Sequence, residues 1–335
     1  MREGKARPNP LRSRATRGSR RVVALQERLA DLSRELEEEL DRFARDPRAS
    51  GARPLSERIG AGVREIAERI DEVRGSERAD DFGFDPEFEE LVAPLFVFLY
   101  RTWWRVETEG IEQVPAEGAA ILVGNHSGTM FPWDGAMLKV ALRLDHPARR
   151  ELRPLVENFV FRLPFIGSFM TRTGGVRACP ENAEALVRRN EIVAVFPEGV
   201  RGMGKPFRRR YRLERFGRGG FVTLALRTGA PIVPVAILGA EEIHPLLATW
   251  PLPARLLGLP YFPITPTFPW LGLGGLVPLP TKWTIRFGEP IRIAGRFRPE
   301  QADDRLLTDR LTIEVREQVQ DLVDEGLRQR RSVFV

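Results

Sequence analysis

A histidine and an aspartate occupy the loop that follows a short apolar segment. Residues 119–124 are apolar and partly β-branched, as in a buried strand, and His126 comes just after its expected end. Asp134 is the first carboxylate after this histidine. A neutral imidazole accepts a proton near neutral pH, and a carboxylate on its other nitrogen fixes the tautomer and stabilises the imidazolium. The two residue types therefore fit a general base and its orienting partner. The alternative is a loop histidine and an aspartate that caps a helix beginning at Gly135.

Three further short blocks follow along the chain. They are Gly174-Gly175-Val176-Arg177, Val195-Phe196-Pro197-Glu198-Gly199-Val200-Arg201 and Ala230-Pro231-Ile232-Val233-Pro234-Val235. Together with Asn125, His126 and Asp134, and in this order, these blocks resemble the four motifs of the glycerolipid acyltransferases, a family that includes bacterial 1-acyl-glycerol-3-phosphate acyltransferase. The resemblance covers roughly residues 95–295, and the Phe-Pro-Glu-Gly-x-Arg block is its most specific part.

The resemblance implies an enzyme that moves a fatty acyl group from a thioester to a glycerolipid hydroxyl. It implies a lysophospholipid such as 1-acylglycerol 3-phosphate as the acceptor. In this scheme His126 is the general base and Asp134 orients it. The donor is acyl-CoA or acyl carrier protein, whose thioester acts as a co-substrate. No metal and no tightly bound cofactor is implied.

The same resemblance implies which residues hold the acceptor. Glu198 and Gly199 would contact its glycerol portion, and Arg201 would pair with its phosphate. Arg177 is a second candidate for binding the phosphate. Guanidinium groups suit this task because their paired N–H groups match the spacing of phosphate oxygens.

Two departures from the family pattern concern the spacing of these residues. Seven residues separate His126 from Asp134, where the family usually has four, and the loop must fold back over this longer distance. The second block carries the single arginine Arg177 at a shifted place, where the family usually ends in Asp-Arg. This second departure favours, as an alternative, a neutral acceptor such as diacylglycerol or a long-chain alcohol.

The segments around these motifs alternate between predicted strands and helices. Residues 191–196 fit a strand that leads to Glu198, residues 221–228 fit a helix, and residues 232–238 fit the next strand. This alternation predicts an α/β fold with a mixed, mainly parallel sheet and helices on its faces. In such a sheet His126 and Glu198 would lie at the same edge, where α/β proteins place their functional groups.

The chain divides into three predicted parts. Residues 1–21 hold eight basic residues against one acidic and form a predicted disordered basic arm, with no apolar run that would indicate a signal peptide or a membrane span. Residues 22–75 carry two apolar stripes spaced by three and four, which predict an amphipathic helical hairpin, or a coiled coil through which two copies associate. Residues 85–335 form the predicted acyltransferase domain.

The charge balance points to anionic partners. The 335 residues include 52 lysines and arginines against 46 aspartates and glutamates, a net charge of +6. Nucleic acid is not expected as a partner, because no aromatic residues are interleaved in the basic arm to stack on bases. The single cysteine, Cys179, excludes an intramolecular disulfide and fits a reducing compartment.

Two apolar segments indicate contact with a membrane. Residues 91–100 are about half the length that a bilayer span requires, and would either dip into a membrane or pack as a buried helix. Residues 256–281 are long enough, but their prolines and glycines would leave backbone groups unsatisfied in hydrocarbon. They are therefore predicted to form an irregular apolar lid or platform. Eight basic residues between positions 201 and 218 suggest contact with an anionic ligand or with a surface of anionic headgroups.

These features together predict a peripheral or monotopic enzyme on the cytoplasmic face of the cell membrane. Its partners would be the anionic lipids of the membrane surface, the lipid acceptor and the acyl donor. A different class is a non-catalytic membrane adaptor, in which the basic arm and the hairpin bind partners and the acyltransferase fold is inert. An assay for acyl transfer separates the two classes.

Overall fold

The computed structural model describes most of the chain beyond the predicted hairpin. The described residues are 79–334, except Met130, Pro164 and Arg218, together with Asp31, Arg34 and Glu38. The predicted basic arm 1–21 lies outside them, and so does the predicted hairpin 22–75 apart from the last three residues named, which are helical. Both predictions, and that of self-association through residues 22–75, stay predictions.

From residue 79 onwards the described chain alternates between helices and strands. The helices are α1 (Pro86–Phe98), α2 (Trp133–Leu144), α3 (Ile166–Arg172), α4 (Pro180–Arg188), α5 (Val200–Met203), α6 (Gly220–Thr228), α7 (Pro251–Leu257) and α8 (Arg305–Gln329). The strands are β1 (Glu107–Glu109), β2 (Ala120–Gly124), β3 (Leu152–Val156), β4 (Val176–Arg177), β5 (Ile192–Val195), β6 (Ile232–Leu238), β7 (Ala248–Thr249), β8 (Pro263–Ile264) and β9 (Thr284–Phe287).

Seven of the strands form one sheet, in the order β1-β9-β6-β2-β5-β3-β4. The five strands from β6 to β4 run parallel to one another, β9 lies antiparallel to β6, and β1 runs parallel to β9. Strands β2 and β6 are buried along their whole length, which explains why they are continuous apolar runs rather than alternating ones. The predicted class, a mixed and mainly parallel α/β sheet with helices on its faces, is confirmed.

The pairing register aligns the carboxyl ends of the central strands. Val123 of β2 lies opposite Val195 of β5, and Gly124 lies opposite Val235 of β6. The residues that follow β2 and β5 therefore leave the sheet at the same edge, side by side. Open α/β sheets bind their ligands at this kind of edge.

The two faces of the sheet carry separate hydrophobic cores. Ala120 and Leu122 of β2 pack with α2 and with the aromatic residues that follow α1. Ile121 and Val123 belong to the second core, with α4, α6 and α8. Successive side chains of a strand point to opposite faces, so one short strand contributes to both cores.

Helix α1 is part of the first core. Asp85 caps it by accepting a hydrogen bond from a backbone N–H of the first turn at 3.2 Å, and a proline at the first helical position suits a helix start. Leu91 is fully buried, and Trp104, beyond the helix, stacks on Trp283 with ring centroids 4.6 Å apart. Of residues 91–100, the two at the start and the three at the end are buried, whereas residues 93–97 are only partly buried, so the segment packs against the core and its contact with a membrane stays a prediction.

Two elements near the carboxyl terminus are shorter than the sequence suggests. Residues 283–291 alternate in a way that predicts a strand, but the strand ends at Phe287, because Pro290 has no N–H to donate to a ladder. The apolar stripe that follows Pro299 predicts a helix from about that residue, but the helix starts at Arg305 instead. A 3₁₀ turn occupies the residues before it, and an aspartate then caps α8.

The apolar segment predicted as an irregular platform folds between β6 and β9. This segment, residues 256–281, contains the end of helix α7, strand β8, which pairs with β7 just upstream, and the 3₁₀ turn Gly272–Leu276. These pieces are short, as expected from its many prolines and glycines. Among the described residues, no helix combines the length and the apolar character needed to cross a bilayer.

Candidate active site

The side chain of Asn125 fixes the point at which the chain leaves β2. Its amide nitrogen donates to the Ile237 carbonyl at 2.9 Å, and its amide oxygen accepts from the Ile237 N–H at 2.7 Å. The side chain thus extends the ladder between β2 and β6 by one residue. His126, the next residue, is therefore held at a defined place on the sheet edge.

A tight turn brings the loop after His126 back towards it. Gly128 has φ 106°, and a Cβ atom there would lie 2.4 Å from the Phe131 carbonyl oxygen, so only glycine fits. The Trp133 N–H donates to the same oxygen at 2.7 Å. Helix α2 starts at Trp133, two residues earlier than the sequence suggested, and Asp134 lies in its first turn.

His126 and Asp134 form a close buried pair across this loop. The Nδ1 atom of His126 lies 2.7 Å from Oδ2 of Asp134. The Asp134 carboxylate is fully buried and also accepts the N–H groups of Ser127 at 2.7 Å and of Gly135 at 2.8 Å. With Nδ1 as the donor, the neutral imidazole keeps Nε2 as a proton acceptor. The longer spacing therefore still allows the pairing geometry that a general base needs.

Two opposing effects act on the pKa of His126. Burial disfavours the charged imidazolium, but the Asp134 carboxylate in contact with the ring outweighs it, with smaller contributions from Glu198 and Glu157. The pKa of His126 is therefore raised above its ordinary value. An imidazole with a raised pKa is a stronger proton acceptor, and it is neutral only at correspondingly higher pH.

Phe196 and Glu198, which follow β5, support the histidine from the neighbouring strand. The Phe196 ring stacks on the imidazole with centroids 4.8 Å apart and planes 22° apart. The Oε1 atom of Glu198 accepts the His126 backbone N–H at 2.9 Å. The ring plane and the backbone of His126 are therefore both fixed by the block that resembles the family most specifically.

The Glu198 carboxylate is buried and engaged by protein donors. Its Oε2 atom accepts the Glu214 N–H at 2.6 Å and lies 3.4 Å from Nζ of Lys205. Lys205 is itself buried and also pairs with Glu241 at 3.2 Å. The interpretation of this lysine as part of a headgroup surface is wrong, because it belongs to an internal charge cluster in which two carboxylates compensate its burial. Contact of Glu198 with a substrate stays a prediction.

The remaining predicted site residues are a glycine and two arginines. Gly199 lines the cavity beside His126, with a φ of 55° that side-chain-bearing residues rarely adopt. Arg201, on α5, is exposed and does not line that cavity. Arg177 is exposed on the edge strand β4, and the residues just after it line the cavity instead. Phosphate binding by either arginine stays a prediction.

A cavity of about 840 Å³ lies over the carboxyl edge of the sheet, with His126 and Phe196 in its wall. The wall is largely apolar and includes Phe96 of α1, Val140 of α2 and Phe169 of α3. It continues past the histidine to residues of α6 on the other face of the sheet. Cavities of this size bind small molecules and cofactors, and an apolar wall suits an acyl chain.

Two contributions to the site depend on contacts that residue types do not reveal. The paired hydrogen bonds of Asn125 depend on which strand lies beside β2. Tyr261, in the apolar segment, donates its hydroxyl to the Thr129 carbonyl, and the Thr129 hydroxyl donates to the His244 carbonyl at 3.0 Å. The sequence signal for this second link is a lone tyrosine within a segment rich in proline and leucine.

Comparison with known proteins finds similarity to acyltransferases. The Acyltransferase family matches residues 105–238, a stretch that contains the histidine, the aspartate and the glutamate described above. The uncharacterized protein Mb0514 of Mycobacterium bovis is 47% identical over 311 residues, which are 92% of this chain and 86% of that protein. The similarity to the mycobacterial protein therefore extends well beyond the matched family region.

More distant relatives have named activities. The "DGAT1/2-independent enzyme synthesizing storage lipids" of Gallus gallus is 25% identical over 61% of this chain and 57% of that protein. The chloroplastic 1-acyl-sn-glycerol-3-phosphate acyltransferase LPAT1 of Arabidopsis thaliana is 25% identical over 48% of this chain and 45% of that protein. Among solved structures, the 1-acyl-sn-glycerophosphate (LPA) acyltransferase PlsC from Thermotoga maritima aligns with a TM-score of 0.45 and 18% identity, over 94% of this chain and 99% of that one.

Proposed function

Because the chain belongs to the glycerolipid acyltransferase family, we propose that it is an O-acyltransferase that moves a fatty acyl group from a thioester to a glycerolipid hydroxyl. The observation that carries the proposal is the buried pair of His126 and Asp134, 2.7 Å between Nδ1 and Oδ2, beside a largely apolar cavity. An oriented base next to apolar space suits a hydroxyl nucleophile whose reaction partner carries a long chain.

In the proposed reaction His126 acts on the acceptor hydroxyl. Its Nε2 atom takes the hydroxyl proton while the oxygen attacks the thioester carbonyl carbon, and Asp134 stabilises the imidazolium that forms. The carbon–sulfur bond then breaks, the new ester stays on the acceptor, and the thiolate takes the proton from the imidazolium. A cysteine-like thiol has a pKa of about 8.5, so the thiolate leaves readily and the mechanism needs no acyl-enzyme intermediate.

The proposed donor is acyl-CoA or acyl carrier protein, and the proposed acceptor is a lysophospholipid such as 1-acylglycerol 3-phosphate. The name of the Arabidopsis relative supports this acceptor. Arg201 supplies the phosphate contact in this proposal, with Arg177 as a weaker second ligand. In the same proposal Glu198 and Gly199 contact the glycerol portion of the acceptor. The proposed reaction uses no metal and no resident cofactor.

A neutral acceptor, such as diacylglycerol or a long-chain alcohol, is the second candidate. The name of the Gallus gallus relative, an enzyme synthesizing storage lipids, favours it. The single arginine of the second block, Arg177, favours it as well. Such an acceptor would present the same hydroxyl to His126, so the two candidates differ only in the need for a phosphate contact.

The full-length protein is tested with radiolabelled acyl-CoA and a panel of lysophospholipids, diacylglycerol and long-chain alcohols. Labelled lipid product is expected with at least one acceptor. The same assay with acyl carrier protein thioester separates the two donors. His126→Ala is expected to lower turnover roughly 10²- to 10⁴-fold, because the general base is lost, while thermal unfolding stays close to that of the unchanged protein.

The outcomes separate the two classes of function. If a folded protein gives no labelled product with any acceptor or donor, the non-catalytic membrane adaptor becomes the better explanation. If product forms and His126→Ala keeps near-normal turnover, the enzyme class stands but this histidine is not its base.

We further propose that the protein works on the cytoplasmic face of the cell membrane, as a peripheral or monotopic enzyme on a surface that contains anionic lipids. The net charge of +6 supports this location, as do the exposed residues Arg208, Arg209 and Arg210. Nucleic acid is not part of the proposal.

A further inference from the structure

Exposed apolar side chains are concentrated in one stretch of the chain. Of the thirteen large apolar side chains that are exposed in the described part of the chain, eight lie within residues 247–276, which we call the apolar platform. Within the platform the most exposed are Leu256 at 78% and Trp270 at 70%. Scattered exposed leucines are ordinary, but a cluster of this kind on one unit marks an interaction surface.

The platform is an ordered unit rather than a loose loop. Its strands β7 and β8 pair in antiparallel fashion, and the Trp250 N–H donates to the Phe262 carbonyl at 2.8 Å. The rings of Phe262 and Phe268 contact each other at a centroid distance of 5.3 Å. The exposed apolar side chains are therefore carried by an ordered backbone. Each Å² of apolar surface left in water costs about 25 cal/mol relative to burial, which favours a partner that buries it.

Positive charge borders the platform, and the platform itself contains no carboxylate. Arg255 is its only charged residue and is exposed on α7, between the exposed leucines of that helix. The Phe207 N–H donates to the Leu246 carbonyl at 2.8 Å, which places the turn that carries Arg208 and Arg210 against the start of the platform. Both of these arginines are exposed. Apolar and cationic groups are therefore presented side by side.

We propose that the apolar platform docks onto the surface of an anionic bilayer. Tryptophan favours the boundary between headgroups and acyl chains, leucine favours the acyl region, and arginine favours the lipid phosphates. The short pieces of the platform fit shallow insertion only, because irregular backbone cannot satisfy its polar groups deep in hydrocarbon. Arg255 within the platform, and Arg208 and Arg210 beside its start, complement a lipid surface of negative charge.

The platform is hydrogen-bonded to the loop that carries the proposed base. The Tyr261 hydroxyl donates to the Thr129 carbonyl, three residues after His126. The ring of Tyr261 also packs closely against Gly204, which follows the Phe-Pro-Glu-Gly block. Docking would therefore hold the loop of His126 close to the bilayer that contains a lipid acceptor. Only this last step rests on the proposed function, since docking itself requires no catalysis.

The test uses the full-length protein and vesicles, without any substrate. Vesicles of phosphatidylcholine alone are compared with vesicles of equal parts phosphatidylcholine and phosphatidylglycerol, in each case with and without brominated acyl chains. Of the six tryptophans, Trp250 and Trp270 are the two with exposed side chains. Brominated chains quench tryptophan only on contact, so quenching is expected on the anionic vesicles, and Trp250→Phe with Trp270→Phe should remove most of it.

Binding is measured in parallel by sedimentation with the same vesicles. Leu256→Ser is expected to weaken binding to the anionic vesicles about tenfold, the effect of withdrawing one leucine from an apolar phase. Arg255→Glu should weaken binding to the anionic vesicles and leave binding to phosphatidylcholine unchanged. Leu306→Ser is the matched control, because Leu306 is 83% exposed on α8, outside the platform, and its replacement should leave vesicle binding unchanged.

Three results would overturn the proposal. They are no vesicle binding at all, binding without quenching of Trp250 or Trp270, and equal binding by Leu256→Ser and Leu306→Ser. The second would show that another part of the chain, such as the basic arm, makes the contact. If Leu256→Ser instead reduces self-association in light scattering and leaves vesicle binding intact, the platform covers a second copy of the chain. A protein that binds vesicles as expected but transfers no acyl group would refute the proposed function and leave the docking surface in place.

Discussion

The contact between His126 and Asp134 controls the pH at which the proposed base is available. Burial alone would lower the pKa of the imidazole, and the Asp134 carboxylate, 2.7 Å away, raises it past its ordinary value. The reaction needs neutral imidazole, so kcat/KM should fall as the pH drops through this raised pKa. The acid limb of the pH–rate profile is therefore set by a residue that never touches the substrate.

Asp134→Asn should move that acid limb to lower pH. Without the carboxylate charge, burial dominates and the pKa of His126 falls, so the imidazole stays neutral in more acidic solution. Turnover at the plateau should fall roughly 10²-fold, because the imidazolium loses its stabilising partner. The measurement is kcat/KM across pH for both proteins, and an unmoved acid limb would show that the carboxylate does not act on the proposed base.

Arg201 gives a test of acceptor charge. A charge-assisted hydrogen bond to phosphate contributes about 1.5 to 3 kcal/mol, so Arg201→Ala should raise the apparent KM for a phosphate-bearing acceptor roughly ten- to a hundred-fold. Arg177→Ala should have the smaller effect. A neutral acceptor has no charge to lose, and its KM should be unchanged in both variants.

The identity of the preferred acceptor decides between a phosphate-bearing and a neutral acceptor. If the unchanged enzyme prefers a neutral alcohol to every lysophosphatidate, and Arg201→Ala keeps that preference, the assignment of Arg201 as a phosphate ligand is wrong.

Residue types and motif order were enough to predict which side chains form the candidate base and its partner. They were not enough to predict the geometry, because the return of the loop depends on the positive φ of Gly128 and on the Phe131 carbonyl beside it. For Lys205 the sequence pattern was misleading. It stands in a basic run and was interpreted as a surface cation, whereas in the fold it is buried and paired with the carboxylates of Glu198 and Glu241.

At the scale of elements, Glu198 ties the loop after β5 to the loop after β2 and to the segment around Glu214. Its two oxygens accept two different backbone N–H groups, from His126 at 2.9 Å and from Glu214 at 2.6 Å. Glu198→Gln replaces one of these acceptors with an NH₂ group, so one buried N–H would face another donor. The free energy of unfolding should fall by about 1–3 kcal/mol.

Urea unfolding of Glu198→Gln measures this loss. Glu157→Gln is a suitable control, since Glu157 is an exposed carboxylate near the same site and its replacement should change stability by no more than about 0.5 kcal/mol. Equal midpoints for the two variants would mean that the loops are held together by other contacts.

The strands that the sequence predicted best are the central ones. The bounds predicted for β6 agree with the structure, and β5 differs by one residue at each end, because a fully buried strand shows itself as a continuous apolar run. Strand β9 and helix α8 were less well predicted. Their ends depend on Pro290 and on the capping residue before Arg305, and such local signals compete with the hydrophobic pattern on which the prediction relied.

At the scale of the whole molecule, charge and apolar surface should make separable contributions to membrane attachment. High salt screens exposed charges, with a Debye length of about 3 Å at 1 M, and it does not weaken apolar insertion. The protein is therefore expected to stay with sedimented membranes in concentrated salt and to be released when mild detergent is added. Leu256→Ser combined with Trp270→Ser should allow release by salt alone. Complete release of the unchanged protein by salt would argue against an inserted apolar surface.

Strands β6 and β9 are antiparallel neighbours, and Leu238 at the end of one lies opposite Thr284 at the start of the other. Residues 239–283 therefore leave and re-enter the sheet at a single spot, across a gap of about 5 Å that a two-residue hairpin turn can close. This makes the middle of the stretch, residues 247–276, exchangeable. Evolution or a protein engineer can lengthen, shorten or replace this part without moving a strand, provided that the support of Tyr261 for Thr129 is restored and that the flanking residues, such as Glu241 beside Lys205 and Trp283 on Trp104, are kept. The surface proposed for docking can thus diversify among relatives while the proposed reaction at His126 is inherited unchanged.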